Sequence, residues 1–332
     1  MADRYARQRM IPGWDQDRLS KATAVVVGVG ALGNEVAKNL ALAGIGRVVL
    51  CDFDTVSTSN LSRTVLFSSE DVGRPKVEAA VAALRSLTPD VVVDPRPVDL
   101  VAGVGLGELA DADIMLGCLD SRRARLQLLG RCALVEAPLV DGGTHPWGGE
   151  MRLRLSVEEP CYGCSLTPAQ RGESDLPQSC HDDRPQPQAS SIASTAVVAG
   201  WMALTALRIV FDAPPAARFI QVDGLTAHTG AVTVTRDESC PHHRPLGPPE
   251  HTTLTNRSTV AELLSALPSG AVPLTWAGFP VRSDGSGRAW SSQELTAAEP
   301  HQPLAALGVA PEEILPVRLP QGEYQWLRLS KG

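Results

Sequence analysis

The sequence has few lysines and no run of like charges. Of its 30 basic residues only four are lysine, and the 332 residues carry a formal net charge of −7. Without a basic stretch the chain offers no electrostatic footprint for nucleic acid or for an anionic membrane surface. We therefore expect a small molecule or a protein as partner, and each of the rare lysines has to be traced to a role.

We expect no secretory leader, and the cysteines cannot all pair with one another. The chain has seven of them, an odd set for a sequence of this length. Such a set favours a reducing compartment in which thiols serve as metal ligands or in chemistry. We expect a cytoplasmic protein.

Long uncharged stretches are scarce as well. One segment, residues 189–207, has no charge and approaches the length of a membrane span. It is rich in Ala, Ser and Thr, no second such segment exists, and Arg208 is its only basic flank. A buried helix, in a helix–sheet or dimer interface, is favoured over a membrane span.

What is present is a regular alternation of strands and helices. An apolar run at 24–27 leads through a glycine turn into a helix that ends at Gly44, and a second strand follows at 47–51. A helix at 75–87, strands at 91–98 and 112–120, and a helix at 121–134 continue the pattern. This rhythm predicts a doubly wound, Rossmann-like α/β fold with a mostly parallel sheet, and the alternating segment 148–156 predicts an antiparallel extension.

Composition divides the chain into two domains. Residues 1–246 form the main domain, with a Pro- and Gln-rich exposed crossing loop over about 167–190. The proline-rich residues 247–255 are interpreted as a linker. Residues 256–332, with short strands and one helix, predict a small α+β appendage.

A glycine-rich turn lies where a phosphate-binding loop belongs. Gly28, Gly30 and Gly33 directly follow a strand and open a helix, whose N-terminus offers unpaired N–H groups to a phosphate. Asp52, at the end of the second strand, is placed to accept hydrogen bonds from a ribose. Alone, this pattern fits a NAD-dependent dehydrogenase equally well.

The next residues discriminate between these possibilities. Asp54, Asn60, Arg63 and Lys76 follow within 24 residues, and hydride transfer has no need of them. Attack of a carboxylate on the α-phosphate of ATP develops charge that an arginine fork and a lysine neutralise. Asp120, at the carboxyl end of a strand, suits Mg²⁺ coordination. The alternative makes Arg63 and Lys76 solvated charges and Asp120 a helix N-cap.

Two short motifs point to a metal. Cys161-x-x-Cys164 and Cys240-x-x-His243 each follow a strand, and together they supply the four ligands of a structural Zn²⁺ site. His242 is the alternative fourth ligand, and two unlinked thiol pairs are the other possibility. The cysteines at positions 51, 118 and 132 fall in apolar patterns and are interpreted as core.

At this point the sequence resembles a known family. The runs RYARQ, GVGALGNE, LCDFDTVSTSNLSR, VGRPK and CLDS occur in order over about residues 4–243, and they look like the ThiF/MoeB/HesA group of ubiquitin-activating-enzyme-like adenylyltransferases. Ser121 departs from this pattern, since the family usually has asparagine there. The histidine at position 243 departs as well, because the family often carries CxxC in both halves of the metal site.

The resemblance implies roles for individual residues. Asp52 would hold the ribose of ATP, Asp120 would be the aspartate associated with Mg²⁺, and Arg7 would reach into the ATP site of a neighbouring protomer in a homodimer. The triphosphate would be bound, and adenylyl transfer stabilised, by Asn60, Arg63 and Lys76. Cys180, in the crossing loop beside His181, would accept the activated carboxyl as a thioester or carry sulfur as an acyl disulfide; the alternative is a solvated thiol.

The expected activity is ATP-dependent adenylation of the C-terminal carboxylate of a small ubiquitin-like or sulfur-carrier protein, or of a peptide. Two other classes stay open: a NAD-dependent oxidoreductase, and a catalytically silent scaffold that forms half of a heterodimer. The appendage is either a ubiquitin-like docking module or a cap that stabilises a dimer.

Overall fold

The computed structural model describes residues 3–172, 190–276 and 292–332. These residues form two compact units. The first comprises the chain up to Pro97 together with Ala112–Arg244, and the second comprises Val98–Asp111 together with Pro245–Gly332. The first unit ends at Arg244, and the boundary predicted from composition is at residue 246.

The second unit differs from expectation at two places. Composition places residues 98–111 in the main domain, but they belong to the second unit, where most of their apolar side chains are buried. The predicted linker 247–255 is also incorporated, because Glu250–His251 forms a parallel strand beside Leu327 and Arg328. Sequence proximity alone misplaces both segments.

The first unit contains an eight-stranded sheet in the order β3-β2-β1-β4-β5-β6-β7-β8. The five strands from β3 to β5 are parallel, and β6 to β8 continue antiparallel, which confirms the predicted doubly wound sheet with its antiparallel extension. The strands are β1 (Thr23–Val27), β2 (Arg47–Cys51), β3 (Val92–Arg96), β4 (Ile114–Gly117), β5 (Leu139–His145), β6 (Gly148–Arg154), β7 (Phe219–Asp223) and β8 (His228–Ala231).

Helices cover both faces of this sheet. The central strands β1, β2 and β4 are buried almost throughout, as their runs of Val, Ile and Leu require. The helix α2 ends at Gly44, whose φ of 89° is the left-handed conformation that glycine tolerates at a helix end. The helices of this unit are α1 (Gln16–Leu19), α2 (Ala31–Ala43), α3 (Lys76–Leu87), α6 (Arg122–Leu134), α7 (Pro168–Gly172) and α8 (Ile192–Val210). The first residues of the predicted crossing loop thus form a short helix, Pro168–Gly172.

The uncharged segment forms α8, which is long and apolar enough to cross a membrane by length and composition. Half of it is buried, and it packs against α2, β5 and β6. On its other side Val197, Trp201 and Leu204 are exposed. One face of α8 is therefore buried within the first unit, and a dimer interface over the other face stays a prediction.

The second unit has a four-stranded sheet in the order β10-β11-β12-β9. A separate apolar core, which includes Leu263, Leu304 and Leu315, lies on one face of the sheet. The elements are α4 (Leu100–Gly103), α5 (Leu106–Asp111), β9 (Glu250–His251), α9 (Val260–Ser265), β10 (Val272–Pro273), β11 (Ile314–Arg318) and β12 (Tyr324–Arg328). This is the small α+β architecture predicted for the appendage.

Candidate functional site

The glycine loop connects β1 to α2 and is shaped by close backbone contacts. Gly28 has a φ of 88°, and a Cβ there would lie 2.5 Å from the carbonyl oxygen of Cys118. A Cβ at Gly33 would lie 1.9 Å from the carbonyl oxygen of Gly28, whereas a Cβ at Gly30 would meet nothing within 4 Å. Two of the glycines are therefore needed to fold the loop, and the third leaves the start of α2 open to a ligand.

Asp52 holds the loop from the neighbouring strand. Its Oδ2 accepts a hydrogen bond from the N–H of Val29 at 2.7 Å, and its Oδ1 accepts one from the N–H of Asp54 at 2.8 Å. Burial raises the pKa of Asp52, and the nearby Lys76 charge and the Val29 N–H oppose that rise. The carboxyl group is thus fixed at the carboxyl end of β2, beside the glycine loop.

Backbone hydrogen bonds place Lys76 next to the Asp52 carboxylate. The N–H of Val56 donates to the carbonyl of Arg74 at 2.9 Å, and the N–H of Lys76 donates to the carbonyl of Asp54 at 2.9 Å. The Lys76 Nζ consequently lies 2.9 Å from Asp54 Oδ2 and 4.0 Å from Asp52 Oδ2. One buried lysine, at the first position of α3, is held between two carboxylates at the edge of the sheet.

Asn60 and Arg63 lie on the short helical turn that follows Asp54 in the chain. Asn60 is buried, and its Oδ1 accepts a hydrogen bond from the N–H of Ser57 at 2.9 Å. The Arg63 guanidinium is half-buried and donates to the carbonyl of Ser59 at 2.7 Å. Each of the two side chains thus has a partner within this turn.

Asp120 lies in the loop between β4 and α6 and is exposed. The interpretation of Asp120 as the helix N-cap is wrong, because Ser121 occupies that position and accepts a hydrogen bond from the N–H of Ala124 at 3.1 Å. Arg7 is exposed near the amino end of the described chain. Cys180 lies outside the described residues.

A buried asparagine that sequence reasoning missed ties these parts together. The Asn34 amide donates to the carbonyls of Val29 at 2.8 Å and Gly30 at 3.0 Å, and its Oδ1 accepts from the N–H of Leu66 at 2.9 Å. Asn34 thereby links the glycine loop to the segment that follows Arg63. The sequence signal that could have found it is a poor helix former, Asn34, directly after the last glycine of the loop and before an apolar helical run.

The four predicted metal ligands come together. Among the described residues, Cys161, Cys164, Cys240 and His243 are the one group of potential ligands whose ligand atoms lie within 4.8 Å of one another. Cys161 Sγ is 3.6 Å from Cys164 Sγ and 3.7 Å from Cys240 Sγ, and the His243 Nε2 is 3.1 Å from Cys164 Sγ. A tetrahedral zinc with Zn–S bonds of about 2.3 Å sets its sulfurs about 3.8 Å apart.

The second nitrogen of this histidine is also satisfied. The His243 Nδ1 lies 2.5 Å from the carbonyl of Val157, which is the kind of outer contact that orients a metal-binding imidazole. His242, the alternative ligand, is instead part of the packing around α6. Cys51, Cys118 and Cys132 are buried, as predicted for core residues.

A doubly wound α/β domain with a glycine loop and a strand-end aspartate at one sheet edge is the arrangement of a nucleotide-binding protein. The sequence pattern of the ThiF family matches residues 5–242, and the chain belongs to this family.

Relatives of known name are adenylyltransferases. The sulfur carrier protein adenylyltransferase of Thermus thermophilus is 34% identical over 251 residues, which cover 72% of this chain and 89% of the relative. The molybdopterin-synthase adenylyltransferase of Escherichia coli (strain K12) is 38% identical over 165 residues, which cover 48% of this chain and 66% of the relative. The chain thus spans just under two thirds of this second relative.

Solved structures share the fold. The crystal structure of E. coli MccB with ATP superposes with a TM-score of 0.59 at 21% identity and covers 73% of this chain and 74% of that one. MccB in complex with N-formylated MccA gives a TM-score of 0.60 at 23% identity over 73% and 75% of the two chains. At this identity the likeness establishes the α/β architecture alone.

Proposed function

We propose that the protein uses ATP to adenylate the C-terminal carboxylate of a small sulfur-carrier or ubiquitin-like protein, or of a peptide, in the cytoplasm. The observation that carries the proposal is the placement of Lys76. A buried lysine between Asp52 and Asp54, beside an open helix start, provides a compact positive charge where phosphates approach. The named activities of the relatives agree with this chemistry.

In the proposed reaction a carboxylate oxygen of the substrate attacks the α-phosphorus of ATP. The bond to the β-phosphate oxygen breaks, pyrophosphate leaves, and the product is an acyl adenylate. Asp52 binds the ribose, and the N–H groups at the start of α2 bind phosphate oxygens. Arg63 and Lys76 offset the charge that develops on the phosphates and on the leaving group, and the neutral Asn60 amide donates hydrogen bonds to phosphate oxygens.

Asp120 is the residue on which Mg²⁺ would bind. Its carboxylate is exposed at the carboxyl end of β4, and Mg²⁺ in nucleotide sites usually takes one or two carboxylates together with phosphate oxygens. Bound there, the cation would supply positive charge to the triphosphate.

The cluster of Cys161, Cys164, Cys240 and His243 would hold a structural zinc. All four ligand positions belong to the protein, so no position is left for a substrate. Burial and the neighbouring thiols raise the pKa of Cys161 and so disfavour its thiolate. A bound cation would offset this effect because it stabilises the thiolates. The metal would join two chain segments that lie about 80 residues apart.

The catalytic unit would be a homodimer. Val197, Trp201 and Leu204 form an apolar row on the exposed side of α8, at positions that share one helix face. Single exposed apolar residues are ordinary, but such a row favours contact with a second copy. Arg7 would then enter the partner's ATP site.

Cys180 would act after adenylation. Its thiolate attacks the carbonyl carbon of the acyl adenylate, AMP leaves, and a thioester forms. If a sulfur donor first converts Cys180 to a persulfide, its outer sulfur attacks the same carbonyl carbon, AMP leaves, and an acyl disulfide forms. Cys180→Ser separates this step from adenylation, because the variant keeps carboxylate activation and loses the covalent product.

The test of the proposed function is ATP–pyrophosphate exchange. The purified protein is supplied with a panel of small proteins that end in Gly-Gly and with short peptides. Exchange that depends on one of these substrates supports the proposal. Absence of exchange with every member of the panel, together with thermal stabilisation by NADH and not by MgATP, refutes it.

A further inference from the structure

A buried arginine lies at the centre of a charged network on α6. The Arg125 Nε donates to Asp141 Oδ2 at 2.8 Å, and its Nη2 lies 2.6 Å from the same oxygen. The Nη2 also donates to Glu150 Oε1 at 2.8 Å. Burial lowers the pKa of Arg125, but the two acids outweigh burial and the net shift is upward. Nothing in the adenylation chemistry described above uses this network.

The network contacts the chain both before and after the loop that contains Asp120. On the strand side, Gly117 is paired with Asp141, and a Cβ at Gly117 would lie 2.6 Å from Asp141 Oδ1. On the helix side, Arg125 lies in the first turn and a half of α6 and binds the same carboxyl group. Asp141 therefore contacts the residue three positions before Asp120 and the residue five positions after it.

A residue next to the predicted metal ligands packs against Arg125. Tyr162, between the first two cysteines, places its ring 4.0 Å from the Arg125 guanidinium carbon, a cation–π contact. Farther along the helix, a Cβ at Gly130 would lie 3.3 Å from His242 Nδ1. Both halves of the Cys/His module thus pack on α6, beside Arg125 and beside Gly130.

From these contacts we infer that Arg125 and Asp141 form a positioning pair that fixes Asp120 for its role with Mg²⁺, and that Tyr162 buttresses the pair. The inference rests on the proposed function. Contacts on both sides of the four-residue loop 118–121 restrict its backbone more than a contact on one side would. Misplacement of a reacting group by about 1 Å costs up to about 100-fold in rate. A lysine at position 125 keeps the charge but lacks the planar fork that binds both acids and stacks on the ring.

The experiment compares Arg125→Lys with Arg131→Lys. Arg131 is a second buried arginine of α6, six residues farther along, so its replacement reproduces the loss of packing in that helix. The readouts are the Mg²⁺ concentration that gives half-maximal pyrophosphate exchange, the KM for ATP at saturating Mg²⁺, and the melting temperature. Tyr162→Leu is a milder second variant that leaves the charges in place.

We expect Arg125→Lys to raise the half-saturating Mg²⁺ concentration about tenfold or more, as changes behind a metal-binding group do, with the ATP KM within about twofold. Arg131→Lys lowers the melting temperature without moving the Mg²⁺ dependence. In an Asp120→Asn background, Arg125→Lys has little further effect. Equal Mg²⁺ shifts in the two arginine variants, or additive effects with Asp120→Asn, overturn the inference.

Failure of the proposed function is recognised separately. If the wild-type protein shows no exchange, calorimetry of ATP binding with and without Mg²⁺ still reports on Asp120. The positioning pair is supported even then if Mg²⁺ no longer increases ATP affinity in Arg125→Lys but still does so in Arg131→Lys. An unchanged effect of Mg²⁺ on the ATP affinity of Arg125→Lys refutes it. If Arg125→Lys does not fold, Tyr162→Leu is the deciding variant. A raised Mg²⁺ requirement in Tyr162→Leu supports the inference, and an unchanged one counts against it.

Discussion

Replacing Lys76 by alanine removes the one charge that two carboxylates share in the candidate site. Two unit charges 4 Å apart interact by about 4 kcal/mol at an effective dielectric constant of about 20, and Lys76 Nζ lies at 4.0 Å from Asp52 Oδ2 and closer to Asp54. Loss of one member of a buried pair costs about 3–5 kcal/mol, and we expect the lower end because Asp52 can take up a proton. A loss of about 3 kcal/mol lowers the melting temperature by about 6–12 °C in a domain of this size.

The loss depends on pH, and its sign follows from Asp52. Burial raises the pKa of this carboxyl above its ordinary 3.8, and Lys76 opposes the rise. An acid whose pKa is higher in the folded protein than in the unfolded one stabilises the fold at low pH, and that contribution is lost as the pH rises through the folded pKa. Without the lysine this pKa rises further, so we expect Lys76→Ala to be closer to wild type at about pH 5 than at about pH 8.

Thermal unfolding at several pH values and pyrophosphate exchange at pH 8 are the assays. Removal of one preorganised positive group reduces exchange by about 100- to 1,000-fold. Lys21→Ala, at an exposed lysine, is the control and leaves both readouts unchanged. The reasoning fails if the decrease in melting temperature caused by Lys76→Ala is the same at all pH values. It also fails if the exchange rate of Lys76→Ala equals that of Lys21→Ala.

Three further predictions concern the loop, the metal and the dimer. Gly33→Ala strongly lowers the melting temperature, because its Cβ would lie 1.9 Å from a carbonyl oxygen. Gly30→Ala stays folded and loses ATP affinity in calorimetry. Similar unfolding of both variants refutes the account of the loop. Cys240→Ser reduces the zinc bound per chain and lowers the melting temperature as chelation does to the wild type, and an unchanged zinc content refutes the metal site. Mixing inactive Arg7→Ala and Lys76→Ala chains restores about a quarter of wild-type activity if sites are shared between protomers, and no recovery counts against sharing.

The sequence was sufficient to predict the parts of the fold that depend on local patterns. The apolar run before Gly28 and the glycine that ends α2 identify one strand–helix–strand unit, and both lie where they were expected. The metal motifs were also readable, since each pair of ligands has the close spacing that a zinc site needs. These features are set by neighbours within a few residues, which the sequence displays directly.

Features that depend on distant pairs were missed. In the stretch that forms α6, Arg125 looks like one of several surface arginines, and only the fold brings it to Asp141 and Glu150. The membership of residues 98–111 in the second unit depends in the same way on partners at the far end of the chain. Burial by a remote segment leaves no periodicity in the sequence that would reveal the partner.

The second unit, built from two chain segments, has a consequence for biosynthesis. The N–H of Leu106 donates to Glu313 Oε1 at 3.0 Å, and the two residues are 207 positions apart in the chain. At about 5–20 residues per second, a ribosome needs roughly 10 to 40 seconds to synthesise that stretch. During this interval Leu106 and Leu109, both fully buried in the finished protein, await their partners, so an interrupted chain presents them to chaperones and proteases.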